Sequence, residues 1–125
     1  MATDVTAAPY EELVDRVLRW AAGQDPHRQG AVQLLIAHDC WLRRNSFCQR
    51  AVHLDGDGRA WIDFAAGRDA FNEGVFDAAL PTEIAVLNLA LALGTDWYNL
   101  DRMDARTSAM VAHAFETACG LALQP

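Results

Sequence analysis

The residues that organise this chain are PTEIAVLNLALALG, from Pro81 to Gly94. Between Glu83 and Gly94 there is no charge, and Asn88 is the one strongly polar side chain. The stretch is too short to cross a bilayer, which needs ~20 apolar residues. It is therefore predicted to form a helix over 82–93 that is apolar on all sides and lies buried at the centre of a small domain.

The sequence predicts where this helix begins and ends and which residues lie on each of its faces. Thr82 is predicted to cap the first turn, and Gly94 to end the helix in a left-handed conformation. At about 100° per residue, the large aliphatic side chains fall on two opposite faces, with Ile84, Leu87 and Leu91 on one and Val86, Leu89 and Leu93 on the other. Ala85, Asn88 and Ala92 form a seam between these faces. We expect Asn88 to be buried and bonded to a loop, because an unpaired buried amide costs ~1–3 kcal/mol.

Composition indicates one globular domain. The 125 residues are enough for a single core, and 52% of them are hydrophobic and 22% charged. A net charge of −7 argues against nucleic acid or an anionic membrane as the partner and is compatible with a protein partner. Residues 1–8 lack the basic start and apolar run of a signal peptide. They are predicted to be a disordered lead to a domain that spans 9–125.

The residue types that the sequence omits also restrict its chemistry. All ten basic residues are Arg, which excludes a Schiff-base lysine, a phosphate-loop lysine and a Ser-Lys pair. Together with the 23 alanines, this bias indicates a high-GC bacterium or phage as the source. The three cysteines, Cys40, Cys48 and Cys119, are an odd number in a chain without an export signal. We therefore expect reduced thiols in the cytoplasm.

The remaining periodicity predicts an all-α bundle of five to six helices around the central one, with one minor β-hairpin near 52–62. The expected elements are a helix over 9–22, a helix from Pro26 that extends towards Leu42, a short helix after Ser46, strands over 51–54 and 59–62, a helix from Asp63 to about Glu73, and a last helix over 101–119. The last helix is predicted to bury Met103, Met110, Val111, Ala114, Phe115 and Ala118. We expect the first and last helices to pack on opposite faces of the central helix or at its ends.

The dipeptide His38-Asp39 is the main candidate for chemistry. It resembles the His-Asp pair of metal-dependent phosphohydrolases of the HD type, which are helical and use a further His and a distant Asp. That resemblance covers one dipeptide, and it implies that His27 and either Asp101 or Asp104 complete a metal site. The alternative is that His38 is a core histidine, because it falls on an apolar helical face.

Two other metal sites are suggested by residue type. The turn at 54–58 contains Asp55 and Asp57 like a calcium loop, but His53 and Phe64 occupy positions where such a loop carries anchoring carboxylates. An ordinary turn is therefore predicted. The residue types of a zinc site are present in Cys40, Cys48, His38 and His53. These four lack the short paired spacing of a structural zinc site, so we predict no metal or other cofactor.

Two short segments are candidates for contact with a partner. Arg43-Arg44 is the basic cluster of an acidic chain, and it either contacts a partner or pairs with local acids. Trp97-Tyr98 follows the central helix in a predicted loop, where exposed aromatic side chains would anchor a partner.

These patterns favour a non-enzymatic, cytoplasmic protein-interaction module, such as an accessory or host-interaction protein. Its partner is expected to be a protein rather than nucleic acid or a membrane, and self-association is left open. The rival hypothesis is a metal-dependent hydrolase or metal-binding helical domain that uses His38-Asp39.

Overall fold

The computed structural model describes residues 10–121, and these form a helical fold with one small hairpin, as predicted. In chain order the elements are α1 (Tyr10–Ala21), α2 (Pro26–His38), α3 (Asn45–Ala51), β1 (Val52–Leu54), β2 (Ala60–Ile62), α4 (Phe64–Asn72), α5 (Pro81–Gly94) and α6 (Ala105–Ala118). Short 3₁₀ turns at Trp41–Arg43 and Leu100–Arg102 precede α3 and α6. None of these helices has the length and apolar character needed to cross a bilayer. The lead predicted at 1–8 lies outside the described residues.

The helices α2 and α5 form the centre of the fold and make its most extensive helix contact. They run antiparallel. His27 at the start of α2 bonds to Leu93 at the end of α5, and Trp41, beyond the end of α2, bonds to Glu83 at the start of α5. The helix α4 packs on α3 and α5, and α1 packs on β2 and α2. The start of α2 and the end of α5 therefore share one end of the molecule.

The hairpin forms where the turn signal predicts it. Val52 pairs with Ile62 in an antiparallel register. The following residue, Asp63, caps α4 as expected, because its carboxylate accepts the N–H of Ala66 at 2.9 Å. Both features depend on residues that are close in sequence.

The prediction that α5 is buried on all sides is wrong. Leu87 and Leu91 are fully buried, whereas Ala85 and Asn88 are exposed and Leu89 is half-buried. The helices that pack extensively on α5 are α2 and α4, not the first and last helices. The second apolar face of α5 is therefore only partly covered by the described chain.

The ends of α5 also differ from the prediction. Leu80 rather than Thr82 precedes its first turn, and the carboxylate of Glu83 accepts the N–H of Leu80 at 2.9 Å. Gly94 is the last helical residue and does not have a positive φ. The left-handed conformation falls instead on Asp96, with φ of 53°.

Asn88 is exposed rather than buried, and its partner is a helix rather than a loop. Arg68 of α4 donates from Nη1 to the side-chain oxygen of Asn88 at 2.9 Å and from Nη2 to its backbone carbonyl at 3.1 Å. This surface pair joins α4 to α5, so the amide needs no buried partner.

The helix α2 ends at His38, before the predicted limit at Leu42. Asp39 adopts a left-handed conformation with φ of 55°, and its N–H donates to the carbonyl of Leu35 at 3.2 Å. Such a residue commonly ends a helix, and Asp tolerates the conformation better than most residues do.

The prediction that the last helix joins the core is wrong. Asp104 caps α6 by accepting the N–H of Thr107 at 2.7 Å, but none of the residues of α6 is buried. Met110 is 64% exposed and Phe115 is 45% exposed. The helix α6 does have the predicted apolar side, but the other described residues leave that side largely exposed.

This difference has a measurable consequence for stability. We expect Met110→Ala to change the free energy of unfolding by no more than ~0.5 kcal/mol, as for other exposed positions. The matched variant Leu87→Ala removes a fully buried side chain and should cost ~2–5 kcal/mol. Urea denaturation followed by circular dichroism measures both. An equally large loss for Met110→Ala would mean that α6 packs into the core in solution.

Candidate interaction site

An open apolar groove of about 1050 Å³ lies between the start of α2, the end of α5 and one side of α6. Its apolar lining consists of Pro26, Gly30, Leu89, Leu93, Tyr98, Leu100, Met103, Val111, Ala112 and Phe115. Its polar lining consists of Asp25, His27, Asp101 and Ser108. Pockets that hold small ligands are usually ~300–1,000 Å³, so this α2–α5–α6 groove is large enough for part of a protein segment.

The helix α6 presents apolar side chains to two directions. Val111 and Phe115 line the groove. Met110, Ala114 and Ala118 lie on the adjoining side and are exposed. At about 100° per residue these positions cover an arc of roughly 140°, which matches the stripe of at least ~100° that a helix normally buries against a neighbouring layer.

The loop after α5 holds two exposed aromatic side chains, and one of them lines the groove. The N–H of Trp97 donates to the carbonyl of Ala92 at 2.8 Å, and the hydroxyl of Thr95 donates to the carbonyl of Leu91 at 2.8 Å. The loop is thus fixed to the end of α5. Trp97 is 75% exposed, and Tyr98 lines the groove.

Exposed apolar area is concentrated in this part of the chain. Nine large apolar side chains between Tyr10 and Leu121 are exposed, and five of them lie within 97–121. At about 200 Å² for a fully exposed large side chain, these five present on the order of 500 Å². Two of the five, Tyr98 and Phe115, line the groove, and apolar area of this size on a monomer is often functional. This region is therefore the best candidate for a binding surface.

One end of the groove is polar, because α2 begins there. The Nδ1–H of His27 donates to the carbonyl of Leu93 at 2.9 Å. Nε2 lies 3.7 Å from a carboxylate oxygen of Asp25, and the His27 side chain is only 7% exposed. His27 therefore joins the start of α2 to the end of α5 and lies beside a carboxylate that lines the groove.

Two further carboxyl groups lie close to His27. Asp96 and Asp101 are hydrogen-bonded to each other, which raises the pKa of Asp101 and lowers the pKa of Asp96. Asp96 also accepts the N–H of Leu100 at 2.8 Å. The positions of these carboxyl groups concentrate negative charge at the polar end of the groove.

The basic pair Arg43-Arg44 is engaged within the chain. Arg43 donates from Nε to Asp39 at 2.8 Å, and this bond holds the pKa of Asp39 below its ordinary value. Arg44 donates to Glu83 at 2.6 Å. Because Glu83 lies at the start of α5, the rise of 1.5 Å per residue places Arg44 ~20 Å from Trp97. The two predicted partner-binding segments therefore do not form one surface.

Glu83 joins several groups at the start of α5. The N–H of Leu80, the thiol of Cys40 and the guanidinium of Arg44 all donate to its carboxylate and hold the pKa of Glu83 below its ordinary value of 4.5. Burial raises the pKa of the Cys40 thiol, which is the opposite of what an activated nucleophile needs. This cluster is structural.

The lowered pKa of Glu83 predicts how stability depends on pH. Ionised Glu83 stabilises the fold above pH 4.5, and this contribution is lost as the pH falls through the lower pKa of the folded state. We expect Glu83→Gln to destabilise the protein at neutral pH and to have progressively less effect in acid. Urea midpoints measured from neutral pH to pH 3 test this, with Glu73→Gln, another ion-paired glutamate, as the control. A pH-independent loss in Glu83→Gln would contradict it.

The residues of the hypothetical HD-type metal site are not brought together. His27 and His38 lie at opposite ends of α2, ~16 Å apart at 1.5 Å per residue. Asp101 lies near His27, and Asp104 caps α6. Within residues 10–121, no group of three or more His, Cys, Asp or Glu side chains is placed to hold a metal ion.

The other metal candidates have ordinary roles. Asp55 accepts the N–H groups of Asp57 and Arg59 at 2.9 Å each and so closes the hairpin turn, as predicted. Cys48 is buried and donates to the carbonyl of Leu42 at 3.2 Å. The ring of His53 stacks on Trp61 on the outer side of the hairpin, with centroids 4.3 Å apart.

The groove itself was not predicted from the sequence. The sequence predicts core positions for Leu93 and Phe115 and suggests metal ligation for His27 and Asp101. The sequence shows Asp25 before α2 and Asp101 after α5. These acids lie near one another only because α2 and α5 pack antiparallel. No local pattern reports that packing.

Comparison with known proteins identifies no relative. The chain matches no protein-family model, and neither the curated proteins nor the solved structures contain a significant match. The functional interpretation therefore depends on the geometry of the site.

Proposed function

We propose that this chain is a protein-interaction module that receives an apolar helical segment of a partner protein in the α2–α5–α6 groove. The observation that carries the proposal is that α6 has a broad apolar side and no buried residue. A helix of this kind is stable when its apolar side is covered, because tertiary packing supplies most of the stability of a short helix.

The groove fits the helix-in-groove mode of recognition. In that mode an amphipathic helix places its apolar side chains between two helices of the receptor. Here Leu89 and Leu93 of α5 line one wall, and Val111 and Phe115 of α6 line the other. The half-buried face of α5 and the exposed side of α6 are the surfaces that a partner helix would bury.

Trp97 and Tyr98 extend this surface beyond the groove. Hot spots of protein interfaces are enriched in Trp and Tyr. The backbone bonds that hold the loop reduce the entropy lost when a partner immobilises it. We assign Trp97 the role of an anchor at the edge of the contact.

The proposed module is cytoplasmic and non-catalytic, an accessory or host-interaction protein of a high-GC bacterium or phage. The separation of His27 from His38 and the engagement of Asp39 by Arg43 support this proposal over a metal-dependent hydrolase.

Site-specific photo-cross-linking in cells that naturally produce the protein tests the proposal. A benzophenone amino acid replaces Tyr98 or Phe115 in the groove, and Trp61, an exposed aromatic residue of the hairpin, in the control. We expect a discrete adduct from positions 98 and 115 and none of the same mass from position 61. Mass spectrometry identifies the captured protein.

The identified protein is then purified and titrated against the variants. Trp97→Ala should weaken binding about 30-fold, since a hot-spot residue contributes ~2 kcal/mol or more. Trp61→Ala should change the affinity by less than about threefold, as expected for a residue outside the contact. The absence of an adduct specific to positions 98 and 115 would refute the proposed function.

A further inference from the structure

We infer that the helical segment received by this surface is α6 of a second copy of the chain, so that the protein forms a two-fold symmetric dimer through α6. The inference rests on the proposed function and names the partner. Three features of the described residues support it: the exposure of α6, the apolar area around it and its lack of net charge.

The helix α6 stands apart from the rest of the described chain. Thirteen of its fourteen residues are exposed, and Val111 is half-buried. Within residues 10–121, none of the extensive contacts between elements involves α6. An isolated helix shorter than ~12–15 residues is marginally stable in water, because tertiary packing supplies most of the stability of short helices. A stable α6 therefore needs a covering surface beyond these residues.

The apolar side of α6 suits contact with a second α6. At about 100° per residue, Ala114 and Ala118 lie in the middle of the apolar arc, with Met110 on one side of them and Phe115 on the other. Small side chains in the middle allow two helix axes to approach to ~8–10 Å, and the larger side chains then cover the line of contact. In a two-fold contact the same surface serves both copies, so this arc supplies both halves of the interface.

The apolar area around α6 is sufficient for a symmetric dimer. The five exposed large apolar side chains within 97–121 present on the order of 500 Å² in one copy. A contact that covers them in both copies removes roughly 1,000 Å² of apolar surface from water. Because homodimer interfaces are ~65% apolar, this corresponds to a total of about 1,500 Å². Specific protein interfaces bury ~1,200–2,000 Å², so the area matches a dimer of this chain.

The charge of α6 allows self-association although the whole chain is acidic. The chain has a net charge of −7, whereas residues 105–118 contain one acid, Glu116, and one base, Arg106. Two α6 helices therefore meet without net charge at the contact. The acids elsewhere in the two copies repel each other at longer range, and salt screens this repulsion. Self-association should therefore become stronger at high salt, whereas binding of a basic partner would become weaker.

Sedimentation velocity of the full chain over a range of concentrations tests the inference. We expect a reversible monomer–dimer equilibrium with a Kd of about 10 μM, at the weak end for an interface of this size. High salt should lower this Kd by at least about threefold.

The variants Phe115→Asp and Met110→Asp each place a charge in the apolar arc, where burial of an unpaired charge is costly. Each should weaken the dimer at least about 30-fold, which corresponds to ~2 kcal/mol. The matched control is Leu18→Asp, because Leu18 has the same exposed fraction as Phe115, 45%, and lies on α1 outside the groove. It should change the Kd by less than about twofold. Circular dichroism checks that each variant remains folded.

Dimer formation also makes stability depend on concentration, because the second copy binds only the folded chain. The small effects expected of Met110→Ala and Trp97→Ala on the free energy of unfolding refer to the dissociated chain, well below the Kd. Above the Kd, Met110→Ala should lower the urea midpoint relative to the unmodified chain. The effect of Leu18→Ala should be the same at all concentrations.

The outcomes separate this inference from the proposed function. Photo-cross-linking from positions 98 and 115 should give an adduct of twice the mass of the chain. A chain that stays monomeric at millimolar concentration would overturn the dimer, and capture of a different protein at positions 98 and 115 would then leave the proposed function standing. A dimer that survives Phe115→Asp and Met110→Asp would have its contact elsewhere and would also overturn the inference. The absence of both self-association and any specific adduct would refute both proposals.

Discussion

Trp41→Ala is expected to lower the free energy of unfolding by ~3–5 kcal/mol, the range for truncating a buried aromatic side chain. Trp41 is completely buried, and its ring lies 6.1 Å from that of Phe47 and 5.3 Å from that of Phe76. Its indole N–H donates to the carbonyl of Glu83 at 2.9 Å. The substitution therefore leaves a cavity and removes a hydrogen bond between the residues after α2 and the start of α5.

The matched control is Trp97→Ala, which makes the same chemical change at a position that is 75% exposed. It should alter the free energy of unfolding by no more than ~0.5 kcal/mol. Urea denaturation of both variants, followed by far-ultraviolet circular dichroism, measures the difference. Similar losses for Trp41→Ala and Trp97→Ala would contradict the burial that separates the two residues. Because domains are stable by only ~5–15 kcal/mol, Trp41→Ala removes a large share of the total.

The second large effect is expected at Gly94. A Cβ built at this position would lie 2.2 Å from Cγ of Phe64 and within 2.6 Å of both neighbouring ring carbons. Phe64 is buried, with only 4% of its surface exposed, so its ring has little freedom to move away. We expect Gly94→Ala to cost ~1–3 kcal/mol, the usual range for overpacking. This loss outweighs the ~1 kcal/mol that Ala gains over Gly in a helix.

Two further variants test the cause of this effect. Gly30→Ala is also a helical glycine substitution, but no atom lies within 4 Å of the added Cβ. It should raise the free energy of unfolding by ~0.5–1 kcal/mol. Phe64→Leu combined with Gly94→Ala should be more stable than the sum of the single losses predicts, because the smaller side chain relieves the overlap. Stabilisation by Gly94→Ala alone would show that Phe64 does not pack on α5.

Part of the fold was predictable because its signals are local. The Asp-Gly turn at 55–58 specifies the hairpin, and Asp63 specifies the start of α4 through a bond to an amide three residues away. Apolar periodicity placed α1 and α5 to within a few residues. The position of Trp97 in a short loop made its exposure one of two alternatives, and the side chain is 75% exposed. Its role as a partner anchor remains a prediction.

The errors share one cause. Apolar periodicity correctly identifies the apolar sides of α5 and α6. The prediction that these sides are buried also requires that other parts of this chain cover them, and periodicity carries no information on that. Asn88 was placed on a buried seam for the same reason, although it lies at the surface and bonds to Arg68. A sequence pattern records that a side chain is apolar, and it does not record which surface, from this chain or another, packs against it.

The sequence alone specified the helices, the hairpin, the acidic charge and the absence of lysine chemistry, because these depend on residue type and on neighbours along the chain. Packing alone brought the start of α2 to the end of α5, and with it His27 to Asp101, residues that are far apart in sequence. Packing also left α6 uncovered and Gly94 beneath the ring of Phe64. These are long-range consequences of steric fit, which no short window of residues encodes.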